Sequence, residues 1–132
     1  MRRGEIWTID FDPVVGAEAD KRTRPAVIVS GDGRNKASER TGRGVVTVVP
    51  LTSNTARVLA FQVLVPAERR NGLAADSKAQ AEQIRAVDVS RFGDRLGSLT
   101  PEQVAALDEA LLVHLALSTP PARAGQGRTV RG

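Results

Sequence analysis

Two short, unbroken β-branched runs, Ala26-Val27-Ile28-Val29 and Val45-Val46-Thr47-Val48-Val49, precede the one segment with clear helical spacing. Apolar runs of this length read as strands buried on both faces. Gly4 to Phe11 reads as an earlier strand, and Ala56 to Val65 as a fourth. Lys78 to Val89 reads as a fifth strand, although its alanines leave a helix open. Asn71-Gly72 signals a turn, Arg34 to Gly44 is polar with at most one helical turn, and Ser90 to Leu99 looks irregular. The helix comes last. Thr100 is a good N-cap, Pro101 suits the first helical position, and Gln103 can close a capping box. Val104, Leu107, Leu111, Leu112 and Leu115 form its apolar stripe. Strands first and a helix last, without β-α-β alternation, predict an α+β fold: a small antiparallel sheet or open barrel with a C-terminal helix against it.

At 132 residues the chain suits one domain, expected over residues 1–118. Residues 119–132 hold too little apolar surface to order themselves and are expected to form a basic, disordered tail. The absence of cysteine removes disulfides, thiolate nucleophiles and Cys-ligated zinc. No stretch has the length of a membrane span and the N-terminus lacks a signal-peptide pattern, so the expected location is cytoplasmic. Of the net charge of +4, three units belong to Arg123, Arg128 and Arg131, leaving the rest of the chain close to neutral. Distribution is therefore more informative than the total. Between Lys21 and Arg43 seven basic residues stand against only Asp32 and Glu39.

Arg24 lies inside that basic cluster, at the entry to the strand Ala26–Val29. Pro25 biases it towards an extended conformation. It can thus be held by a rigid element while reaching solvent, and its planar fork of donors suits phosphate oxygens. A solvated loop arginine has equal standing on this stretch alone. Thr52 and Ser53 close the strand that begins at Val45, and neighbouring antiparallel strands bring opposite ends together. A fixed cation beside hydroxyl donors suits a phosphodiester transition state. From periodicity alone, a hydrogen-bonded turn over Thr52–Thr55 is the simpler account. Other chemistry is poorly supported. His114 is the only histidine, so a two-histidine ribonuclease mechanism is excluded by count. Asp10 and Asp12 lack further metal ligands nearby, Ser53 lacks an activating base in sequence, and the glycines form no phosphate-binding fingerprint.

Four blocks in order resemble the MazF/PemK toxin family. They are Arg3-Gly4-Glu5-Ile6-Trp7; Asp12-Pro13-Val14-Val15-Gly16-Ala17-Glu18 leading to Arg24-Pro25-Ala26-Val27-Ile28-Val29; Val48-Val49-Pro50-Leu51-Thr52-Ser53-Asn54; and Ala81-Glu82-Gln83-Ile84-Arg85-Ala86-Val87-Asp88. The helix segment Leu107–Leu111 is also of the family type. The resemblance implies an SH3-like barrel forming a homodimer, of the fold shared by CcdB and PemK toxins. It implies a metal-independent, sequence-selective endoribonuclease on single-stranded RNA, without a cofactor and inhibited by a cognate MazE-like antitoxin. The family's catalytic arginine falls on Arg24 and its catalytic hydroxyl on Thr52. Its acidic loop residue falls on Glu18, and its RNA-groove residues on Ser53, Asp76, Ser77 and Gln83. The general base stays unassigned.

Two other readings share the fold. A non-enzymatic gyrase poison of the CcdB type relies on a tryptophan at the end of the C-terminal helix, whereas the one tryptophan here is Trp7. A catalytically silent nucleic-acid-binding barrel would want stacking platforms, and the chain has few aromatic residues.

Overall fold

The computed structural model describes residues 1–11 and 23–118. Seven strands form an antiparallel sheet: β1 (Glu5–Asp10), β2 (Thr23–Ile28), β3 (Val45–Thr52), β4 (Gln62–Val65), β5 (Ser77–Gln80), β6 (Arg85–Asp88) and β7 (Phe92–Ser98). Helix α1 (Asp32–Thr41) joins β2 to β3, and α2 (Pro101–Leu115) follows β7. The strand order is β4-β5-β3-β2-β1-β7, with β6 also pairing with β3. A sheet with a C-terminal helix was the expected architecture, and it is what the chain forms.

β2 and β3 are buried on both faces, as their unbroken apolar runs require. Val27 and Val49 enter a core under α2 with Ile6, Leu51, Val65, Leu107 and Ala110. Ala26, Ile28, Val46 and Val48 enter a second core on the opposite face, with Ile9, Phe11 and Val87. Among the apolar residues of the two strands only Val45, at the start of β3, is exposed. The cap of α2 forms as expected: Thr100 Oγ1 accepts the Gln103 amide and Gln103 Oε1 accepts the Thr100 amide. Its buried stripe is Leu107, Ala110 and Leu111, with Val104 packed at the edge, while Leu115 is exposed.

Several expected elements differ. The fifth strand is two strands, because the single 3-10 turn Ala81–Gln83 breaks it. This lets β5 pair with the end of β3 and β6 with its beginning along one edge. The fourth strand starts only at Gln62, whose side-chain oxygen accepts the Leu59 amide and fixes a turn there. Ser90–Leu99 contains a genuine strand, β7, which pairs with β1 through register shifts. Its one buried residue is Gly97, so no apolar alternation marks it. The polar stretch after β2 is a helix of 10 residues whose buried side chains are Asn35 and Ser38. Asn35 is anchored by donating to the Ser30 carbonyl at 2.9 Å. Asn71-Gly72 is a turn as expected, with Gly72 at φ 68°.

Candidate active site

Two prolines decide where the β2–β3 ladder stops. The ladder runs Ile28–Val48, Val27–Val49 and Ala26–Pro50, and ends there. Antiparallel pairs alternate between hydrogen-bonded and non-hydrogen-bonded types. If Ala26–Pro50 is the bonded type, Pro50 lacks the donor; if it is not, the next bonded pair needs a donor from Pro25. Either way a ladder bond is missing at this end. Continuing the register by two residues sets Arg24 opposite Thr52, so the two face one another across strands that are no longer zipped together.

Two clefts open at this point, and Arg24 and Thr52 line both. The larger, about 660 Å³, is also lined by Thr23, Leu51, Ser53 and Ser77 and by the segment Leu73–Ala75. The smaller, about 310 Å³, is completed by Phe11, Pro50, Gln80, Gln83 and Arg85. Arg24 is exposed, and its only side-chain hydrogen bond among the described residues is a long one, Nη2 to the Leu51 carbonyl at 3.5 Å. That leaves most of its fork of donors available. Thr52 is half-buried and its Oγ1 accepts the Asn54 amide at 3.3 Å, so its hydroxyl hydrogen remains free to donate. The turn expected over Thr52–Thr55 and the hydroxyl donor are therefore compatible.

The other expected site residues divide. Ser53 and Ser77 share the larger cleft with the pair, and Gln83 shares the smaller. Ser77 is buried and donates to the Ala75 carbonyl at 3.0 Å, so it shapes the wall as well as facing it. Asp76 lines neither cleft; its Oδ1 accepts the Ala67 amide at 2.8 Å and fixes the loop before β5. Glu18 lies outside the described residues. Sequence reasoning did not single out Arg85, whose guanidinium lies 5.1 Å from the centroid of the Phe11 ring on the wall of the smaller cleft. It stands in the same block as Gln83, two residues on, and that spacing across the turn was the available signal. Lys78 pairs with Thr52 in register, but its Nζ donates to the Arg57 carbonyl at 2.5 Å and holds the 56–61 segment. No group of His, Cys, Asp and Glu suited to hold a metal occurs among the described residues.

Residues 2–115 match the family described as PemK-like, MazF-like toxins of type II toxin–antitoxin systems. Endoribonuclease MazF9 of Mycobacterium tuberculosis is 53% identical over 117 residues, covering 89% of this chain and 98% of the relative. The chain belongs to this toxin family. Endoribonuclease EndoA of Bacillus subtilis is 32% identical, over 89% of this chain and 96% of its own. Among solved structures, the Mycobacterium tuberculosis toxin MazF-mt6 superposes with a TM-score of 0.68 at 27% identity, covering 87% of this chain and 99% of that one. An endoribonuclease from a Mycobacterial species, solved with its cognate antitoxin, gives a TM-score of 0.70 at 23% identity over 91% and 99% of the two chains, a likeness of fold. The family's members thus share the sheet and closing helix described above. The gyrase-poison reading is not favoured: Trp7 sits on β1, packed edge-on against Phe92 at 5.9 Å with its Nε1–H donated to Glu5.

Proposed function

We propose that this chain is the endoribonuclease toxin of a type II toxin–antitoxin pair, acting in the cytoplasm as a homodimer on single-stranded RNA. It cleaves without a metal and is neutralised by a cognate MazE-like antitoxin. The observation that carries the mechanism is that Arg24 and Thr52 line both clefts, so a strand occupying either one meets both side chains. The RNA's own 2′-oxygen attacks the adjacent phosphorus, the bond from phosphorus to the 5′-oxygen breaks, and the 2′-hydroxyl proton passes to a base or to water. The departing 5′-oxygen takes up a proton. The products are a 2′,3′-cyclic phosphate and a 5′-hydroxyl.

Arginine stays protonated at any physiological pH, so Arg24 clamps the phosphate and offsets the charge that gathers on its oxygens. Thr52 donates its hydroxyl hydrogen to the same oxygens. Ser53, Ser77 and Gln83 offer polar contacts to the nucleotides on either side. Glu18, in the segment that precedes β2 in sequence, is the candidate base. The test is incubation of a single-stranded RNA pool with purified protein in EDTA, with the Arg24→Ala protein alongside, followed by mapping of the ends. Internal cuts leaving 5′-hydroxyl ends, absent with Arg24→Ala, are expected. Intact RNA in EDTA, with cutting restored by magnesium or manganese, would overturn the metal-free mechanism.

A further inference from the structure

α1 is built unlike a core helix. It buries Asn35 and Ser38 and contains no large apolar side chain, so it is held in place by polar contacts. Both of its acids serve as anchors. Asp32 Oδ1 accepts the Arg3 amide at 2.6 Å, and Glu39 forms an ion pair with the N-terminal ammonium of Met1 at 2.5 Å. Its bases are not used in this way. Arg34, Lys36 and Arg40 of the helix and Arg43 just beyond it are exposed, and their side chains have no hydrogen bond or ion pair among the described residues; Arg34, two residues from Lys36, lies on another face. Lys36 and Arg40 stand four residues apart, on one face of the helix and one turn from each other, where like charges repel. Arg43 follows just beyond the C-cap Gly42, in a turn closed by Thr41 Oγ1 accepting its amide. A helix C-terminus favours Arg40 and Arg43 through its dipole but gives Lys36 nothing, because the effect fades within a turn.

The structure assigns Lys36, Arg40 and Arg43 to a second, sequence-independent contact with the RNA phosphate backbone, away from the scissile phosphate. This rests on the ribonuclease reading of the site. α1 joins the ends of β2 and β3 opposite to those bearing Arg24 and Thr52. β3 alone sets roughly 20 Å between them. A substrate reaching α1 must therefore extend several nucleotides beyond the cut. Three outward cations whose neighbouring acids are tied inward suit a chain of phosphates, which are contacted by charge without reading bases.

The test is fluorescence anisotropy with a labelled 20-nucleotide single-stranded RNA pool, titrated at several salt concentrations. It compares the full chain with the triple variant Lys36→Ala, Arg40→Ala, Arg43→Gln. Each single-strand phosphate contact contributes about 0.7 to the slope of log affinity against log salt, so the variant's slope is expected to fall by about 2. For cleavage, KM should rise several-fold on the long pool with kcat unchanged, and stay constant on oligonucleotides trimmed to the cut site. Matched circular dichroism and melting separate this from a dipole role, which would lower stability and leave the slope alone. An unchanged slope in a folded variant overturns the assignment, and so does weakened antitoxin binding with RNA binding intact, which would make α1 a protein-docking face. If the wild-type chain cuts no RNA yet shows the slope difference, the ribonuclease reading fails while the phosphate contact stands.

Discussion

Arg24 depends on its neighbours for every property that makes it useful. Pro25 holds it extended, the end of the ladder leaves it facing Thr52, and the Leu51 carbonyl takes one of its donors at 3.5 Å. Removing one preorganised donor from a charge-stabilising site typically lowers the rate by about 10²–10³. Arg24→Ala and Thr52→Ala should each show a loss of that order in single-turnover cleavage, with unchanged circular dichroism. Arg24→Lys should also be impaired, because a point charge cannot reproduce a bidentate fork. A wild-type rate for Arg24→Ala would return it to a solvated loop residue. Arg24 and Thr52 were legible in the sequence as residue types at strand ends. Their apposition followed from antiparallel neighbours, but the open ladder between them did not, because it depends on a register and on two prolines acting together. Arg85 was harder still, since its place over Phe11 depends on where β6 meets β3.

At the scale of elements, the sequence revealed whatever was held by apolar periodicity and concealed what was held by polar or backbone contacts. β2, β3 and α2 carry their own pattern. α1 does not, because Asn35 and Ser38 replace the apolar stripe. β7 does not, because its one buried residue is a glycine and the strand is made by pairing with β1 and by close backbone approach. That approach is testable. A Cβ on Gly97 would lie 2.2 Å from the Arg70 carbonyl oxygen and 2.7 Å from the Asn71 backbone. The backbones are already tied there by the Ser98 amide donating to the Arg70 carbonyl at 3.1 Å. Gly97→Ala should therefore cost about 1–3 kcal/mol in equilibrium denaturation, as overpacking does. It should also loosen the turn that feeds Leu73–Ser77 into the larger cleft. Gly33→Ala is the matched control: its Cβ would meet nothing within 4 Å, and it lies in α1. Replacing that helical glycine should raise stability by roughly 0.5–1 kcal/mol. Equal effects of the two would show that close packing at β7 is not what constrains Gly97.

For the molecule as a whole, charge is concentrated rather than spread, and the concentrations can be separated experimentally. Residues 119–132 carry Arg123, Arg128 and Arg131 without an acid, and they lie beyond the family match at residues 2–115 and outside the described residues. Three cations attached to the toxin domain should attract polyanions without reading bases, since phosphate contacts carry no sequence information. Deleting residues 119–132 should leave the cleavage sequence and the rate at saturating RNA unchanged. Affinity for RNA should fall, and the salt slope should become shallower by up to about 2. If the α1 cations and this segment contact different phosphates, the two losses of slope should add when the deletion is combined with the α1 substitutions. Slopes that fail to add would mean that both compete for one stretch of backbone. Tighter RNA binding after the deletion, or a changed cleavage sequence, would place the segment on the groove itself, where it would compete with the substrate between Arg24 and Thr52.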